Sequence, residues 1–370
     1  MLNCIDLFSG AGGFSLSARL AGLRVCLAIE NDDHAVKTYR WNLCNGCEKP
    51  ALVVDKDITT LSPAKVFADS FKKHEHCDLL LGGPPCQGFS THRIKDAGVA
   101  DSRNDLIHTY FEFVCTFKPT AFLMENVPGM LWPRHQTYLE RFFQEASLAG
   151  YTLFDPVVLD ARDFGVPQRR KRVFILGLKK DIDTDGFVWP PDPTHGNDAA
   201  RLKNTELKAW VDCAAVFTKS VDGDPNGVHM NHTAELVAAF KRTPANGGSR
   251  KDSGRILKCH VEHNGHRDVY GRINPDLPGP TMTTACINPS KGRFVHPVEH
   301  HGITVRQAAR MQTFPDTFIF KGGLMAAGQQ VGNAVPVKLG QVLIEHIKPL
   351  LEAQIRKPVA IASRRESDSA

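Results

Sequence analysis

The feature that most constrains this chain lies near its N-terminus. The apolar run Cys4-Ile5-Asp6-Leu7-Phe8 passes directly into Ser9-Gly10-Ala11-Gly12-Gly13, and apolar residues then recur with helical spacing from Phe14 to Ala21. A short buried run, a glycine loop and a helix describe a strand-to-helix turn of a doubly wound α/β sheet. In such a turn the backbone can approach a ligand, and the helix start offers free N–H groups. Val25 to Ile29 reads as the next strand and ends at Glu30, twenty residues after Gly10. That is where such folds place an acid on ribose hydroxyls. The glycine spacing is G-x-G-G, not the G-x-G-x-x-G of pyrophosphate loops, so a nucleoside-bearing cofactor without a pyrophosphate fits better. Taken alone, the loop also fits a tight turn that binds nothing.

The pattern continues. Cys77 to Leu81, Ala121 to Met124 and Arg172 to Leu178 are further apolar runs separated by helical patterns and turn-rich loops. Strands alternating with helices predict a mostly parallel sheet covered on both faces, with functional loops at the carboxyl ends of its strands. A chain of 370 residues exceeds one compact core. The character changes at Trp189-Pro190-Pro191, after which the sequence is polar, weakly periodic and rich in Gly, Asn and His as far as about Tyr270. We therefore expect a catalytic, cofactor-binding domain over 1–190, completed by 326–356 through a helix from Lys338 to Leu351 that packs back on it. A smaller domain over 191–325 and a disordered tail over 357–370 complete the expected organisation.

Composition excludes several classes. No apolar run reaches the roughly 18 residues of a membrane helix. The start Met1-Leu2-Asn3-Cys4 lacks the basic and apolar regions of a secretory signal. These points predict a cytosolic protein. Ten cysteines in a chain this long are expected as free thiols, with Cys26, Cys115 and Cys213 as small core residues. The net charge of +5 permits a phosphate-rich partner without demanding one.

Three loops carry candidate chemistry. Gly82-Gly83-Pro84-Pro85-Cys86-Gln87-Gly88-Phe89-Ser90 follows an apolar strand. Two prolines stiffen the backbone before the cysteine and two glycines let it turn, which places a thiol for reaction. A structural cysteine in a turn is the commoner fate, but it does not explain that setting. Glu125-Asn126-Val127-Pro128 ends the next strand. A carboxyl there can be partly desolvated, which raises its pKa and lets it donate a proton. Capping or a salt bridge would be the ordinary role of such an acid. Gln168-Arg169-Arg170-Lys171-Arg172 precedes the last strand, and the alternation lets Arg170 and Arg172 face one side. Their guanidinium groups could lower a thiol pKa or bind a base edge or phosphate, although a charge run is most often a solvated face.

Taken in order, these pieces resemble the DNA (cytosine-5)-methyltransferase family, of bacterial or phage type. The set is Asp6 to Gly13, Glu30, Asp57-Ile58, Gly83 to Ser90, Glu125-Asn126-Val127, and Phe164-Gly165-Val166-Pro167-Gln168 with Arg170 and Arg172. It closes with Thr304 to Pro315 and Gly332-Asn333-Ala334-Val335-Pro336. The resemblance spans about Cys4 to Ile347 apart from the middle. It implies an S-adenosylmethionine-dependent, Rossmann-like fold with a target-recognition domain over 191–325. It implies Phe8, Ser9, Gly10, Gly12, Gly13, Glu30 and Asn31, Asp57 and Ile58, and Pro84, Asn333 and Ala334 around the cofactor. It implies Cys86 as nucleophile, Glu125 as the acid on the pyrimidine, and Arg170 and Arg172 as active-site arginines. The implied substrate is duplex DNA with the target cytosine flipped out, the protein acting as a monomer near the nucleoid, with or without a separate restriction endonuclease.

The DNA-contacting candidates are Gln87, Ser90, His92 and Arg93 on a mobile loop after the nucleophile, Gln168, and Arg250, Lys251 and Arg255. The last three lie in a basic stretch, Lys241 to Lys258, that holds one acid, Asp252. A flexible basic loop suits phosphate and base-edge contacts, and equally a solvated surface. A tRNA methyltransferase of the same architecture usually carries a Cys-Phe-Thr segment that is not found here. A non-catalytic regulatory relative would have lost Cys86 or Glu125. Cys44-Asn45-Gly46-Cys47, with His74, His76 and Cys77 downstream, has zinc-like spacing, but Cys77 opens a buried strand, so no metal is expected.

Overall fold

The computed structural model describes residues 1–71, 75–85, 105–254 and 268–356. Five parallel strands form its centre: β1 (Asn3–Leu7), β2 (Arg24–Glu30), β3 (Leu52–Asp55), β4 (Leu79–Gly82) and β5 (Ala121–Asn126). Three more, β6 (Tyr151–Leu153), β7 (Val157–Asp160) and β8 (Lys171–Lys179), complete an eight-stranded sheet in the order β3-β2-β1-β4-β5-β8-β6, with β7 also on β8. β8 runs antiparallel to β5, with Glu125 opposite Phe174.

Alternation along these strands sorts the core into two faces. Ile5, Leu7, Leu80, Phe122, Met124, Val173 and Ile175 face one way. That face is covered by α3 (Pro63–Ser70), α4 (Asp105–Phe117) and α5 (Gln136–Leu148), which contribute Val66, Phe113 and Phe142. Cys4, Leu79, Leu81, Leu123, Phe174 and Leu176 face the other way. There α1 (Gly13–Leu20) packs on the C-terminal helix, and α2 (Asp33–Leu43) borders α1 through Tyr39 and Leu43. Cys26 and Cys213 are buried as expected, but Cys115 is exposed. Its run is apolar, yet the helical period puts it on the outer side of α4 with His108 and Glu112.

The 191–325 segment has little regular structure: α6 (Asp198–Lys203), α7 (Ala234–Arg242) and α8 (Val305–Met311) stand among short turns. Its buried residues Val216, Ile273, Met282, Phe294 and Ile303 join the same cluster as Leu79 and Phe174. The buried residues of the segment are therefore continuous with those on one face of the sheet. Then α9 (Leu324–Asn333) and α10 (Val337–Arg356) return to the sheet. α10 is the expected returning helix: Gly340 lies so close to α1 that a Cβ would stand 2.5 Å from Ser17 Oγ, and Ser17 donates to Val337 O. Among the described residues no helix is long and apolar enough to cross a membrane.

Side chains do much of the backbone pairing in 191–325. Arg272 is wholly buried and donates to the carbonyls of Phe240, Thr243, His296 and Glu299. Arg306, equally buried, pairs with Asp224 through two bonds of 2.7 and 3.0 Å and reaches Phe318 O. The strap 319–321 is held by primary amides: Asn42 and Asn226 each accept from and donate to one of its residues, Ile319 and Phe320 respectively. Nearby, the His229 and His301 rings stack at 3.9 Å, with His232 parallel to His229 at 6.4 Å. His232 Nε2 accepts from Gly302 N–H. Burial, with His301 and Arg272 adding to it, pushes His296 from the usual 6.5 down to about 4.

Candidate active site and cofactor cleft

The carboxyl ends of β1 to β5 converge on one edge of the sheet, and the strand order reverses between β1 and β4. Such switch points open a crevice. The β1–α1 turn needs left-handed backbone at Phe8 (φ 57°), Gly10 (φ 54°) and Gly12 (φ 96°). At Gly12 a side chain would also meet Leu43 at 2.4 Å, whereas nothing lies within 4 Å of where a Cβ on Gly10 would stand. Gly10 therefore leaves open space beside a bare backbone. Its N–H donates to Glu30 Oε2 at 2.8 Å, and Glu30 Oε1 accepts from Asn31 and Asp32 N–H. Burial raises the Glu30 pKa against those donors. Across the crevice stands the end of α9, and a cavity is lined by Gly10, Glu30, Asp32, Ala35, Gln330 and Asn333. Gly13 packs against the next turn, where a Cβ would be 2.9 Å from Val335 O. Asp57 caps a short turn through Thr59 N–H, with Ile58 buried behind it.

Behind the glycine turn is a group to which the sequence assigned no role. Asp6 is 1% exposed and accepts from Ser15 Oγ at 2.6 Å, and Ser15 Oγ in turn accepts from the Tyr39 hydroxyl at 2.8 Å. Burial lifts the Asp6 pKa from the usual 3.8 to about 7. An acid inside an apolar strand run was the available signal.

Glu125 is the penultimate residue of β5, 8% exposed. The loop after β4 passes directly over it: a Cβ on Gly83 would stand 3.3 Å from Glu125 Oε2, and Asn126 Nδ2 donates to Pro84 O at 3.3 Å. Arg172 lies on the same face of the sheet as Glu125, because Phe174, two residues along, is Glu125's direct neighbour. Its Nε stands 2.8 Å from Glu125 Oε1. The contact is an ion pair without the alignment of a hydrogen bond, and among the described residues Oε1 has no hydrogen-bond partner. A buried carboxylate oxygen is thus left available beside a cation and the proline loop.

Other expected residues lie elsewhere. Gln168, expected on DNA, is wholly buried: its Nε2 donates to Met311 O and Gln312 Oε1, and its Oε1 accepts from Met282 N–H. Arg170, expected beside Arg172 at the substrate, is also wholly buried, with its Nη atoms on the carbonyls of Met282, Gly332 and Ala334. Arg250 is 5% exposed, too covered to reach a base edge without moving, whereas Lys251 is exposed. Cys86, Gln87, Ser90, His92, Arg93 and Arg255, and the tail from 357, lie outside the described residues.

A family model described as C-5 cytosine-specific DNA methylase matches residues 2–349. The Type II methyltransferase M1.HphI of Haemophilus parahaemolyticus is 33% identical over 94% of this chain and 86% of its own length. The Type II methyltransferase M.DdeI of Desulfomicrobium norvegicum is 32% identical over 94% of this chain and 88% of its own. Among solved structures, one described as a DNA modification methyltransferase encoded within an E. coli prophage superposes with a TM-score of 0.71 at 25% identity, over 95% of this chain and all of that one. The S. pombe Dnmt2 methyltransferase shares the fold at a TM-score of 0.57 and 18% identity, over 95% of this chain and 99% of that one.

Proposed function

This chain belongs to the C-5 cytosine-specific DNA methylases, and from that premise we propose that it methylates a flipped-out cytosine in a particular duplex sequence through a covalent Cys86 adduct. The enzyme is a DNA cytosine-5 methyltransferase that uses S-adenosylmethionine. The open backbone at Gly10, the Glu30 carboxylate and the facing Asn333 fit a nucleoside cofactor. When bound, that cofactor supplies a methyl group on a sulfonium.

The observation that carries the reading is the Glu125 carboxylate, with Oε2 under the Gly83 backbone and Oε1 beside Arg172 without a hydrogen-bond partner among the described residues. Carbon 5 of cytosine is a poor nucleophile. Attack of the Cys86 thiolate on carbon 6 forms a C–S bond and moves an electron pair to carbon 5. Glu125 hydrogen-bonds or protonates ring N3 and so stabilises the charge that develops. Carbon 5 takes the methyl group, a base then removes its proton, and the returning electron pair expels Cys86. The target base must leave the stack to be reached. Sequence choice is assigned to about Pro191 to Arg272, with Arg255 reading a base and Lys251 a phosphate. We place the enzyme in the cytoplasm as a monomer, consistent with a restriction-modification system whose endonuclease is a separate protein.

The test uses duplex DNA with 5-fluorocytosine at the target, which blocks proton removal. Incubation with S-adenosylmethionine should leave a denaturation-resistant adduct, and Cys86→Ala should form none. An adduct or methylation from Cys86→Ala would remove Cys86 from the mechanism.

A further inference from the structure

β8 is entered by a segment in which Gln168 and Arg170 turn inward while Arg169 between them is exposed. Residues 167–170 pair with 279–282 as a strand would: Arg169 N–H donates to Gly279 O at 2.8 Å, and Gly279 N–H donates to Pro167 O at 2.9 Å. Side chains extend this pairing. Met282 is held on both sides, its N–H by Gln168 Oε1 and its carbonyl by Arg170 Nη1, each at 2.8 Å. Arg170 Nη2 then reaches Gly332 O at 2.9 Å and Ala334 O at 3.0 Å, the two carbonyls that flank Asn333. Gln312 Nε2 shares Ala334 O and adds Val331 O at 2.7 Å, and Gln168 Nε2 donates to Gln312 Oε1. The turn has no slack: a Cβ on Gly332 would stand 2.3 Å from the backbone of Thr283.

We propose that Arg170 is a positioning residue that sets the Asn333 turn against the Met282 backbone and thereby the affinity for S-adenosylmethionine, without touching the cytosine. The proposal rests on the reading of Asn333 as part of the cofactor pocket. Two features favour it over a substrate contact. Arg170 has no exposed surface, and both Nη atoms are engaged by carbonyls. Its Nε alone has no hydrogen-bond partner among the described residues. Arg172, two residues on, has its guanidinium at Glu125. One strand entry thus carries two arginines of different duty: the first holds the cofactor side of the crevice, the second the side that handles the base.

The test compares four variants of the full-length protein by cofactor Kd in calorimetry, KM for S-adenosylmethionine and kcat on duplex DNA. Arg170→Lys keeps the charge but loses the fork. It should raise Kd and KM about 10-fold, the ratio for one lost charge-assisted hydrogen bond, with kcat within about threefold of wild type. Gln312→Met removes the Nε2 donor from Ala334 O and Val331 O and the acceptor of Gln168 Nε2 but leaves Arg170 in place, and should move both constants the same way. Arg172→Lys should lower kcat and leave the cofactor constants alone. A fall in kcat for Arg170→Lys at unchanged cofactor KM overturns the proposal, since Arg170 would then act on the base. If Arg170→Lys does not fold, Gln312→Met decides, and wild-type cofactor constants for it overturn the proposal. Asn333→Ala separates the two layers. Should it weaken cofactor binding while Arg170→Lys does not, only the positioning role falls. Should it bind the cofactor normally, the reading of the pocket falls and the proposal with it.

Discussion

The sheet and the 191–325 segment solve the same problem by different means. Every buried backbone carbonyl needs a donor. Along β5 and β8 six residue pairs provide it through the ladder itself, whatever their side chains. In 191–325 scattered backbone bonds such as Ile273 to Val295 are joined by single guanidinium groups: Arg272 serves four carbonyls, and Arg306 serves Phe318 while neutralising Asp224. A ladder tolerates change at any one side chain. A stapled loop assembly tolerates change almost everywhere except at the staple. If 191–325 chooses the sequence as proposed, the second arrangement would let its surface change while its frame stays.

Three experiments can break or sharpen this contrast. The largest effect is expected from chemistry set on the ladder. Glu125→Gln should slow methyl transfer by about 10² to 10⁴-fold at every site alike, while keeping cofactor binding. Arg255→Ala should instead relax choice at one base position, by about 1–3 kcal/mol. Methylation rates on a panel of single-base variants of the site measure both, and a Glu125→Gln rate within a factor of about two of wild type would sink its role. The next effect is on stability. Arg306→Met leaves the Asp224 carboxylate buried and unpaired and should cost about 3–5 kcal/mol, against about 0.5–1.5 kcal/mol for Ile175→Val in the ladder. Equal shifts in urea midpoints would erase the distinction.

The smallest effect concerns pH, where the two regions respond with opposite sign. The folded-state pKa of Asp6, raised to about 7, gives a contribution that is full below the unfolded value of 3.8 and is lost as pH rises through 7. His296, lowered to about 4, contributes above 6.5 and loses that contribution as pH falls towards 4. The Tm of Asp6→Asn relative to wild type should therefore be at least about 2 °C higher at pH 8 than at pH 5. His296→Asn, whose amide oxygen can still accept from Val298 and Glu299 N–H, should flatten the acid limb only. Scanning calorimetry across that range would reject the assignment if either variant followed the wild-type curve.

Much of the sheet was legible because each central strand is an apolar run ending in a distinctive loop, and Glu30, Glu125 and the glycine turn lie where strand ends must put them. The burial of Arg170 and Gln168 was not legible for a physical reason. An arginine on a groove and an arginine holding carbonyls look the same in a sequence, and only the backbone across from it, here Met282 and the Asn333 turn, separates them. Cys115 misled because its neighbours are apolar although its face of α4 is not. The histidine stack was invisible because His229, His232 and His301 meet only through the fold. The change of composition at Trp189-Pro190-Pro191 was legible, whereas the continuity of buried residues from the sheet into 191–325 was not.

The strap at 319–321 depends on a side chain with a chemical liability. Asn226 precedes Gly227, a pairing whose flexible backbone favours attack of the following amide nitrogen on the side-chain carbonyl and loss of ammonia. Here the amide is 4% exposed and fixed at both ends by Phe320, which withholds the geometry that cyclisation needs. The same two bonds make the outcome one-way. An aspartate would turn a carboxylate oxygen towards the Phe320 carbonyl in place of a donor, two residues from the Asp224–Arg306 pair. Conversion of Asn226 to aspartate or isoaspartate would thus remove the donor that holds the Phe320 carbonyl, whereas the exposed Asn45 and Asn246, each also followed by a glycine, carry no such consequence for the strap.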